Sequence, residues 1–227
     1  MGSLERKAVV AGGTGLIGQE LVRMLLENAA YASVTVLVRK PLGRQHPKLR
    51  ERIVDFERLE EAQLDLGGAD LFCALGTTIG KAGSQEAFRQ VDYAYPLALG
   101  QLAKRAGAPQ MLIVTSMGAS SASRIFYSRV KGEIEDALLD LGFAGLHIFR
   151  PSLLLGEREE FRLGEKAAAA LSGLLPVVFS GPLRKYKPIP ARSVARAMLL
   201  AALCGATGVH VYESDAIERM AQAERGR

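Results

Sequence analysis

Short apolar runs, each closed by glycine or polar residues, alternate along this chain with longer stretches of helical periodicity. The apolar runs are nearly continuous, which is typical of strands buried on both faces of a parallel sheet. The pattern predicts seven strands, over Lys7–Ala11, Ser33–Val38, Arg50–Val54, Ala69–Leu75, Met111–Thr115, Leu146–Phe149 and Gly208–Tyr212.

Between these strands, apolar residues recur every three or four positions, as on the buried face of a helix. They predict helices over Leu16–Asn28, Ser84–Ala106, Ser128–Leu141 and Ala191–Leu203. Strands that alternate with helices indicate an α/β fold, a doubly wound parallel sheet of the Rossmann type. We find no repeat or linker, and therefore expect residues 1–227 to form a single domain. Residues 152–190 and 204–227 are expected to add a small C-terminal cap, or lid, over the substrate.

The composition narrows the choice of partners. The 227 residues carry a formal net charge of +5, with basic residues dispersed among acidic ones. This mild excess suits a phosphorylated small molecule, and without a recognised nucleic-acid module we expect no nucleic-acid partner. Two cysteines and three scattered histidines indicate neither a disulfide framework nor a metal site. Without a signal segment or a long apolar run, we expect a cytoplasmic protein with no membrane partner.

A glycine-rich turn follows the first predicted strand. Gly12, Gly15 and Gly18 are spaced three apart and lead directly into an amphipathic helix. In such loops the first glycine permits a tight turn, the second admits a pyrophosphate, and the third lets the helix pack closely on the strand. The free N–H groups of the helix then face the phosphates. The context predicts a dinucleotide site.

The end of the second strand discriminates between cofactors. An acidic residue there accepts a hydrogen bond from the ribose 2′-hydroxyl of NAD, whereas this chain has Arg39 followed by Lys40. A guanidinium can hold a 2′-phosphate through two hydrogen bonds. NADP(H) is therefore the predicted cofactor.

Tyr127 and Lys131 are four residues apart and share one face of a predicted helix. A free tyrosine titrates near pH 10, so its use at neutral pH requires a shift worth roughly 4 kcal/mol. A neighbouring ammonium supplies part of this by favouring the phenolate. The pair predicts a proton donor and acceptor for a carbonyl or alcohol oxygen, while hydride moves at a nicotinamide.

A hydroxyl at the end of the fifth predicted strand completes the predicted catalytic set. Ser116 follows the strand, at the edge of the sheet where ligands of such folds bind. Its side chain is a candidate to orient the reacting oxygen. Thr115 competes for the same role, and the sequence leaves the choice open.

Four further segments give the chain a family resemblance. They are Cys73-Ala74-Leu75-Gly76-Thr77-Thr78, Gly80-Lys81-Ala82-Gly83, Tyr127 through Glu133, and Phe149-Arg150-Pro151-Ser152-Leu153-Leu154-Leu155. Together with the glycine loop, they resemble the short-chain dehydrogenase/reductase superfamily in its atypical branch. Within that branch the chain looks like the Tat-interactive-protein-like oxidoreductases and their microbial relatives. The likeness runs from Lys7 to Ala202, and its more specific part is Gly-Thr-Thr-x-Gly-Lys-Ala-Gly.

The resemblance implies further contacts with the cofactor. Its phosphates would lie against Thr14, Gly15, Leu16 and Ile17, and its adenosine end against Arg39 and Lys40. Leu75, Gly76 and Thr77 would border the adenine and ribose, Leu154 would approach the nicotinamide, and Arg162 is one more candidate contact. Ser152 departs from the family, which often has glycine after Arg-Pro.

Two functions are consistent with these observations. The first is an NADP(H)-dependent reductase of a small carbonyl compound. The second is an NADP(H)-binding regulatory or redox-sensing protein that acts through a protein partner with little turnover, since fold does not dictate function. A sugar-nucleotide epimerase is a third hypothesis, but the chain is short for such an enzyme. The predicted long helices Ser84–Ala106 and Ser128–Leu141 also offer faces for a homodimer.

Overall fold

The computed structural model describes residues 6–155 and 187–223. Within these residues, seven parallel strands form one sheet. The strands are β1 (Arg6–Ala11), β2 (Tyr31–Val38), β3 (Leu49–Ile53), β4 (Ala69–Cys73), β5 (Gln110–Val114), β6 (Gly145–Arg150) and β9 (Gly208–Glu213), while β7 (Leu154–Leu155) and β8 (Ile189–Pro190) form a separate pair. The order of the seven strands across the sheet is β3-β2-β1-β4-β5-β6-β9. The strand order reverses direction between β1 and β4, and this switch point is where such sheets bind ligands. The predicted doubly wound α/β fold is confirmed.

Helices cover both faces of the sheet. They are α1 (Leu16–Glu27), α2 (Ile79–Ala82), α3 (Gln85–Arg89), α4 (Tyr95–Arg105), α5 (Phe126–Leu139), α6 (Ala191–Cys204) and α7 (Ser214–Gln222). Helices α1, α6 and α7 bury one face of the sheet in a core that includes Leu21, Val36 and Met198. Helices α4 and α5, with a 3-10 segment at Phe56–Ala62, bury the other.

Two predicted elements have different bounds in the structure. The predicted helix Ser84–Ala106 is interrupted by a π turn at Gln90–Ala94. Strand β4 ends at Cys73 rather than Leu75, because the chain leaves the sheet at Ala74 to form the rim of a cavity.

The C-terminal segment contains the predicted strand Gly208–Tyr212, observed as β9 (Gly208–Glu213). There β9 is the seventh strand of the main sheet, and α7 packs beside α6. Ile217 is fully buried in this contact, which anchors the helix Ser214–Gln222 to the fold.

A buried polar cluster lies at the N-terminal edge of the sheet. The Asp70 carboxylate accepts hydrogen bonds from Tyr31 Oη at 2.7 Å, Gln110 Nε2 at 2.7 Å and Arg6 Nε at 3.0 Å. These bonds join β1, β2, β4 and β5 and satisfy a carboxylate that would be costly to bury alone. The candidate site lies at the opposite, C-terminal edge of the sheet.

Two short strands complete the described fold. Strand β7 (Leu154–Leu155) pairs in parallel with β8 (Ile189–Pro190). Leu154 is half-buried in this pair, whereas Arg162 lies outside the described residues. None of the helices in the described residues has the length and apolar character needed to cross a membrane.

Candidate cofactor and active site

The glycine loop has the close contacts that its spacing predicts. Gly12 has φ +84°, and a Cβ built on it would lie 2.4 Å from the Ala74 carbonyl carbon. A Cβ on Gly18 would lie 2.0 Å from the Gly12 carbonyl oxygen. Any side chain at either position would therefore push the loop away from β4 or lift α1 from the loop. Glycine is required at both positions by sterics.

The first turn of α1 presents free donors. Gly15 precedes the helix, and no side chain caps this terminus. The backbone N–H groups of Leu16, Ile17 and Gly18 therefore have no acceptor within the helix. With the positive end of the helix dipole, these groups favour an anion at the loop.

A cavity of about 510 Å³ opens beside this loop. It is lined by the glycine loop, the C-terminal end of β2, the segment after β4 and the helices beyond it. The lining residues are Gly12, Thr14, Gly15, Leu37, Val38, Arg39, Phe56, Ala74, Leu75, Gly76, Thr77, Lys81, Ala82, Ala87, Val91 and Tyr95. Seven residues predicted to contact a cofactor thus share one cavity.

Arg39 lies on this cavity with its guanidinium exposed. No acidic side chain of the described residues pairs with it, so its donors are available to a ligand. Lys40 is also exposed, but it does not line the cavity.

The predicted catalytic pair lies on α5. Lys131 is almost fully buried, and its Nζ lies 2.6 Å from Oδ1 of Asp92, whose side chain is equally buried. Tyr127 is half-buried one turn earlier, and its ring centroid lies 5.4 Å from that of Phe88. A Cβ on Gly76 would lie 3.8 Å from Lys131 Nζ, so the ion pair lies directly behind the cavity wall.

Asp92 is a site residue that the sequence prediction missed. Its Oδ2 accepts a hydrogen bond from the Thr77 backbone N–H at 2.9 Å, while Oδ1 pairs with Lys131. The π turn at Gln90–Ala94 carries Asp92, and such turns are frequent at functional sites. The available signal was an acidic residue, Asp92, among the largely apolar residues in the middle of the predicted helix Ser84–Ala106.

The charge of Lys131 is set by two opposing effects. Burial lowers the pKa of an ammonium, whereas the neighbouring Asp92 carboxylate, with Tyr127, raises it. The attraction prevails, and the pKa of Lys131 lies above its ordinary value. Lys131 is therefore protonated across the physiological pH range, as a cation held by Asp92.

The two candidate hydroxyls at the end of β5 differ in their partners. Thr115 Oγ1 donates to Glu135 Oε1 at 2.5 Å, and Glu135 also pairs with Arg150. Ser116 Oγ is buried without a hydrogen-bond partner among the described residues. The Thr115 hydroxyl is thus already engaged, while that of Ser116 remains available.

Gly132 brings the loop after β5 against α5. A Cβ at this position would lie 2.1 Å from the Ser120 carbonyl carbon and 2.1 Å from the Ser121 nitrogen. The Ser120 N–H also donates to the Ser128 carbonyl at 3.0 Å. The loop that begins at Ser116 is therefore held on the first turns of the helix that carries Tyr127.

Ser152, the departure from the family pattern, also has a structural role. Its Oγ donates to the Lys187 carbonyl at 2.5 Å, and its N–H donates to Ser214 Oγ at 2.6 Å. These bonds connect the described segment that ends at residue 155 to the described segment that begins at residue 187. Leu154, the predicted nicotinamide contact, lies two residues after Ser152 and begins β7.

These residues suit a dinucleotide. The Gly12 turn admits close approach of a phosphate, α1 supplies N–H donors, and the cavity has the size of a small-molecule pocket. Phe56, Val91 and Tyr95 give one wall of the cavity an apolar surface. Within the described residues, no group of three or more metal-ligating side chains is found.

Comparisons with known proteins agree with this geometry. The chain is 35% identical over 201 residues to Protein HTATIP2 of Rattus norvegicus, covering 86% of this chain and 81% of that protein. It is 33% identical over 205 residues to FMP52 of Candida albicans, covering 88% and 89%. No protein-family model matches the chain.

Solved structures share the fold at low sequence identity. A short-chain dehydrogenase/reductase superfamily protein from Agrobacterium tumefaciens, with bound NAD, superposes with a TM-score of 0.66 at 14% identity. The match covers 97% of this chain and 83% of that one. At this identity the similarity supports the fold alone.

One sequence-based prediction is wrong. We expected a cytoplasmic protein, but FMP52 relatives from several fungi are named mitochondrial, which contradicts that expectation.

The identities to HTATIP2 and FMP52, the coverage and the Rossmann sheet confirm the family resemblance. The chain belongs to the HTATIP2 and FMP52 family, an atypical branch of the NAD(P)-binding short-chain dehydrogenase/reductase superfamily.

Proposed function

We propose that this protein is an NADP(H)-dependent reductase of a small carbonyl compound. The observation that supports it most is the buried Lys131 cation next to Tyr127, behind the wall of the cavity that carries Arg39. Arg39 would hold the 2′-phosphate of the cofactor, and the α1 terminus its pyrophosphate. When bound, the reduced nicotinamide supplies a hydride.

Residues of this chain would supply the proton that the reduction requires. The Tyr127 hydroxyl donates a proton to the carbonyl oxygen of the substrate, and the Lys131 cation stabilises the phenolate that this leaves. The Ser116 hydroxyl, which has no partner among the described residues, donates a hydrogen bond to the same oxygen. Asp92 holds Lys131 in place, and Phe88 packs against the Tyr127 ring.

Cofactor choice is tested by titrating the protein with NADPH and with NADH. The chain has no tryptophan, so the fluorescence of the reduced nicotinamide is easily followed. We expect Arg39→Ala to weaken NADPH binding about tenfold to a hundredfold while leaving NADH binding unchanged. Arg192→Ala removes an exposed arginine on α6 and serves as the control. Equal affinities of the wild type for the two cofactors would contradict the role of Arg39.

The Tyr127 mechanism is tested by Tyr127→Phe on a panel of aldehydes and ketones. The variant keeps the ring against Phe88, so we expect NADPH binding to persist while turnover falls by about 10²- to 10⁴-fold. Tyr93→Phe, which removes the hydroxyl of a tyrosine stacked on Arg89, is the matched control. Undiminished turnover in Tyr127→Phe would overturn the mechanism.

A second candidate function is an NADP(H)-binding regulator with little turnover. The Lys131–Asp92 pair favours it, because Asp92 neutralises much of the charge that would stabilise a Tyr127 phenolate. Wild-type protein that binds NADPH but reduces no carbonyl on the panel would support this function. Turnover that Tyr127→Phe abolishes would exclude it.

A further inference from the structure

A second cavity, of about 430 Å³, lies on the face of the sheet that α4 and α5 cover. Between β3 and β4 the chain has only a short 3-10 segment, Phe56–Ala62, so β1, β2 and β3 stay partly uncovered towards their N-terminal ends. The volume is within the range of small-molecule pockets. The residues that line it are Lys7, Ala8, Val9, Ser33, Thr35, Leu37, Arg50, Arg52, Gln63, Leu64, Asp65 and Leu66.

The strand register places polar side chains of three strands next to one another. Lys7 of β1 pairs with Ser33 of β2, and Thr35 of β2 pairs with Arg50 of β3. Arg52 lies two residues beyond Arg50 and shares its face, since side chains alternate along a strand. The polar floor of the cavity is thus an ordered array fixed by the sheet.

Cations outnumber anions in this cavity. Lys7, Arg50 and Arg52 line it, and Asp65 is the one carboxylate among its described lining residues. Asp65 accepts from Lys7 Nζ at 3.0 Å, and Arg52 donates to the Ala62 carbonyl at 2.9 Å. The Arg50 side chain makes no hydrogen bond or ion pair with a described residue. The local charge therefore favours an anion, with Arg50 as its available donor.

A further feature of the cavity indicates a polar ligand. The hydroxyls of Ser33 and Thr35 are half-buried and have no hydrogen-bond partner among the described residues. Each hydroxyl can therefore donate a hydrogen bond to an anion in the cavity.

We propose that this cavity binds a small phosphate-bearing anion. Arg50 and Arg52 would hold the phosphate group, Ser33 and Thr35 would donate hydroxyl hydrogen bonds, and Val9, Leu37 and Leu66 would contact the apolar part of the ligand. Leu37 also lines the cofactor cavity, so the two cavities are neighbours but carry different cations. The proposal does not depend on the proposed reductase function.

Inorganic pyrophosphate is the probe. Its binding is measured by calorimetry and by amide shifts in NMR spectra of the full chain. Ionic strength is held constant with KCl, because exposed charges respond to screening alone. Saturating NADP⁺ is present to occupy the cofactor cavity. If NADP⁺ does not bind, pyrophosphate at the glycine loop would instead shift the amides of Leu16 and Ile17, which separates the two cavities. We expect saturable binding that shifts the amides of Thr35 and Arg50.

Variants assign this binding to the cavity. Arg50→Ala is expected to weaken it about tenfold or more, since a charge-assisted hydrogen bond is lost. Thr35→Val keeps the shape of β2 and is expected to weaken it severalfold. Arg192→Ala, on the opposite face of the sheet, should leave it unchanged. Absence of saturable binding, or binding that Arg50→Ala does not alter, would overturn the proposal.

Discussion

Lys131 Nζ lies 2.6 Å from Asp92 Oδ1, in an ion pair almost completely removed from solvent. Asp92→Ala leaves the ammonium buried without a counterion, and removal of one partner from such a pair costs about 3–5 kcal/mol. We expect the free energy of unfolding, measured with urea, to fall by that amount. Asp92→Asn keeps an acceptor for the Thr77 N–H and should cost less.

The double variant Asp92→Leu/Lys131→Met provides the control for this ion pair. It removes both charges and fills the site with apolar atoms, so much of the lost stability should return. A double-mutant cycle isolates the coupling between the two side chains. Additive losses in the cycle would mean that the two groups do not interact in solution.

Thr115 and Ser116 are predicted to respond differently to loss of their hydroxyls. Thr115→Val breaks the hydrogen bond to the Glu135 carboxylate and should lower the unfolding free energy by about 1.5–3 kcal/mol. Ser116→Ala removes no hydrogen bond of the described structure, so stability should hold while turnover falls about 10²-fold. Paired unfolding and kinetic measurements distinguish the two roles. A kinetic defect confined to Thr115→Val would reverse the assignment.

Gly18→Ala should disturb the phosphate-binding loop. The new methyl group would clash with the Gly12 carbonyl oxygen, and overpacking of this kind costs about 1–3 kcal/mol. We expect a lower melting temperature and weaker NADPH binding. Gly80→Ala is the matched control, because a Cβ there has no heavy atom within 4 Å. Equal behaviour of the two variants would show that α1 can move away from the loop at little cost.

His147 predicts a pH dependence of stability. Its ring is fully buried and stacks on His210, and burial, with repulsion from His210, lowers the pKa of His147 to about 4. The unfolded chain binds this proton near pH 6.5. Stability should therefore fall as the pH drops from about 6.5 towards 4, by about 2 kcal/mol at pH 5.

The comparison of His147→Gln with wild type tests this effect. Glutamine does not titrate and retains a polar group for Tyr212 Oη, which lies 3.2 Å from His147 Nδ1. The variant should lose less unfolding free energy than wild type between pH 7.5 and pH 5. His46→Gln alters an exposed loop histidine and should retain the full dependence. An unchanged slope in His147→Gln would assign the effect to other groups.

The sequence was sufficient to predict the layout of the sheet, because strands buried on both faces must be apolar and crossover helices must be amphipathic. The glycine loop was predictable for a related reason, since sterics at Gly12 and Gly18 exclude any side chain. The predicted roles of Tyr127, Lys131 and Ser116 remain predictions, although Tyr127 and Lys131 lie one turn apart on α5, with Lys131 behind the cavity wall.

Asp92 and Glu135 could not be placed from spacing alone. Each contacts a residue far along the chain, and a charged side chain on a helix is usually solvated. The sequence offers a hint for Glu135, which follows Lys131 by four residues and so shares its buried face. Its partners Thr115 and Arg150 are known only once β5 and β6 lie side by side.

The π turn at Gln90–Ala94 also constrains how this chain can change its length. A π turn holds one residue more than a turn of α-helix, so deletion of a single residue there would restore a regular helix. The helical residues on either side would keep their faces, because only the surplus residue of the π turn is lost, whereas Asp92 inside the turn would change its direction. Asp92 would turn away from Lys131, although both residues would still be encoded. A one-residue gap at this segment in a sequence alignment therefore identifies chains that have lost the buried ion pair. Chains without the gap keep it.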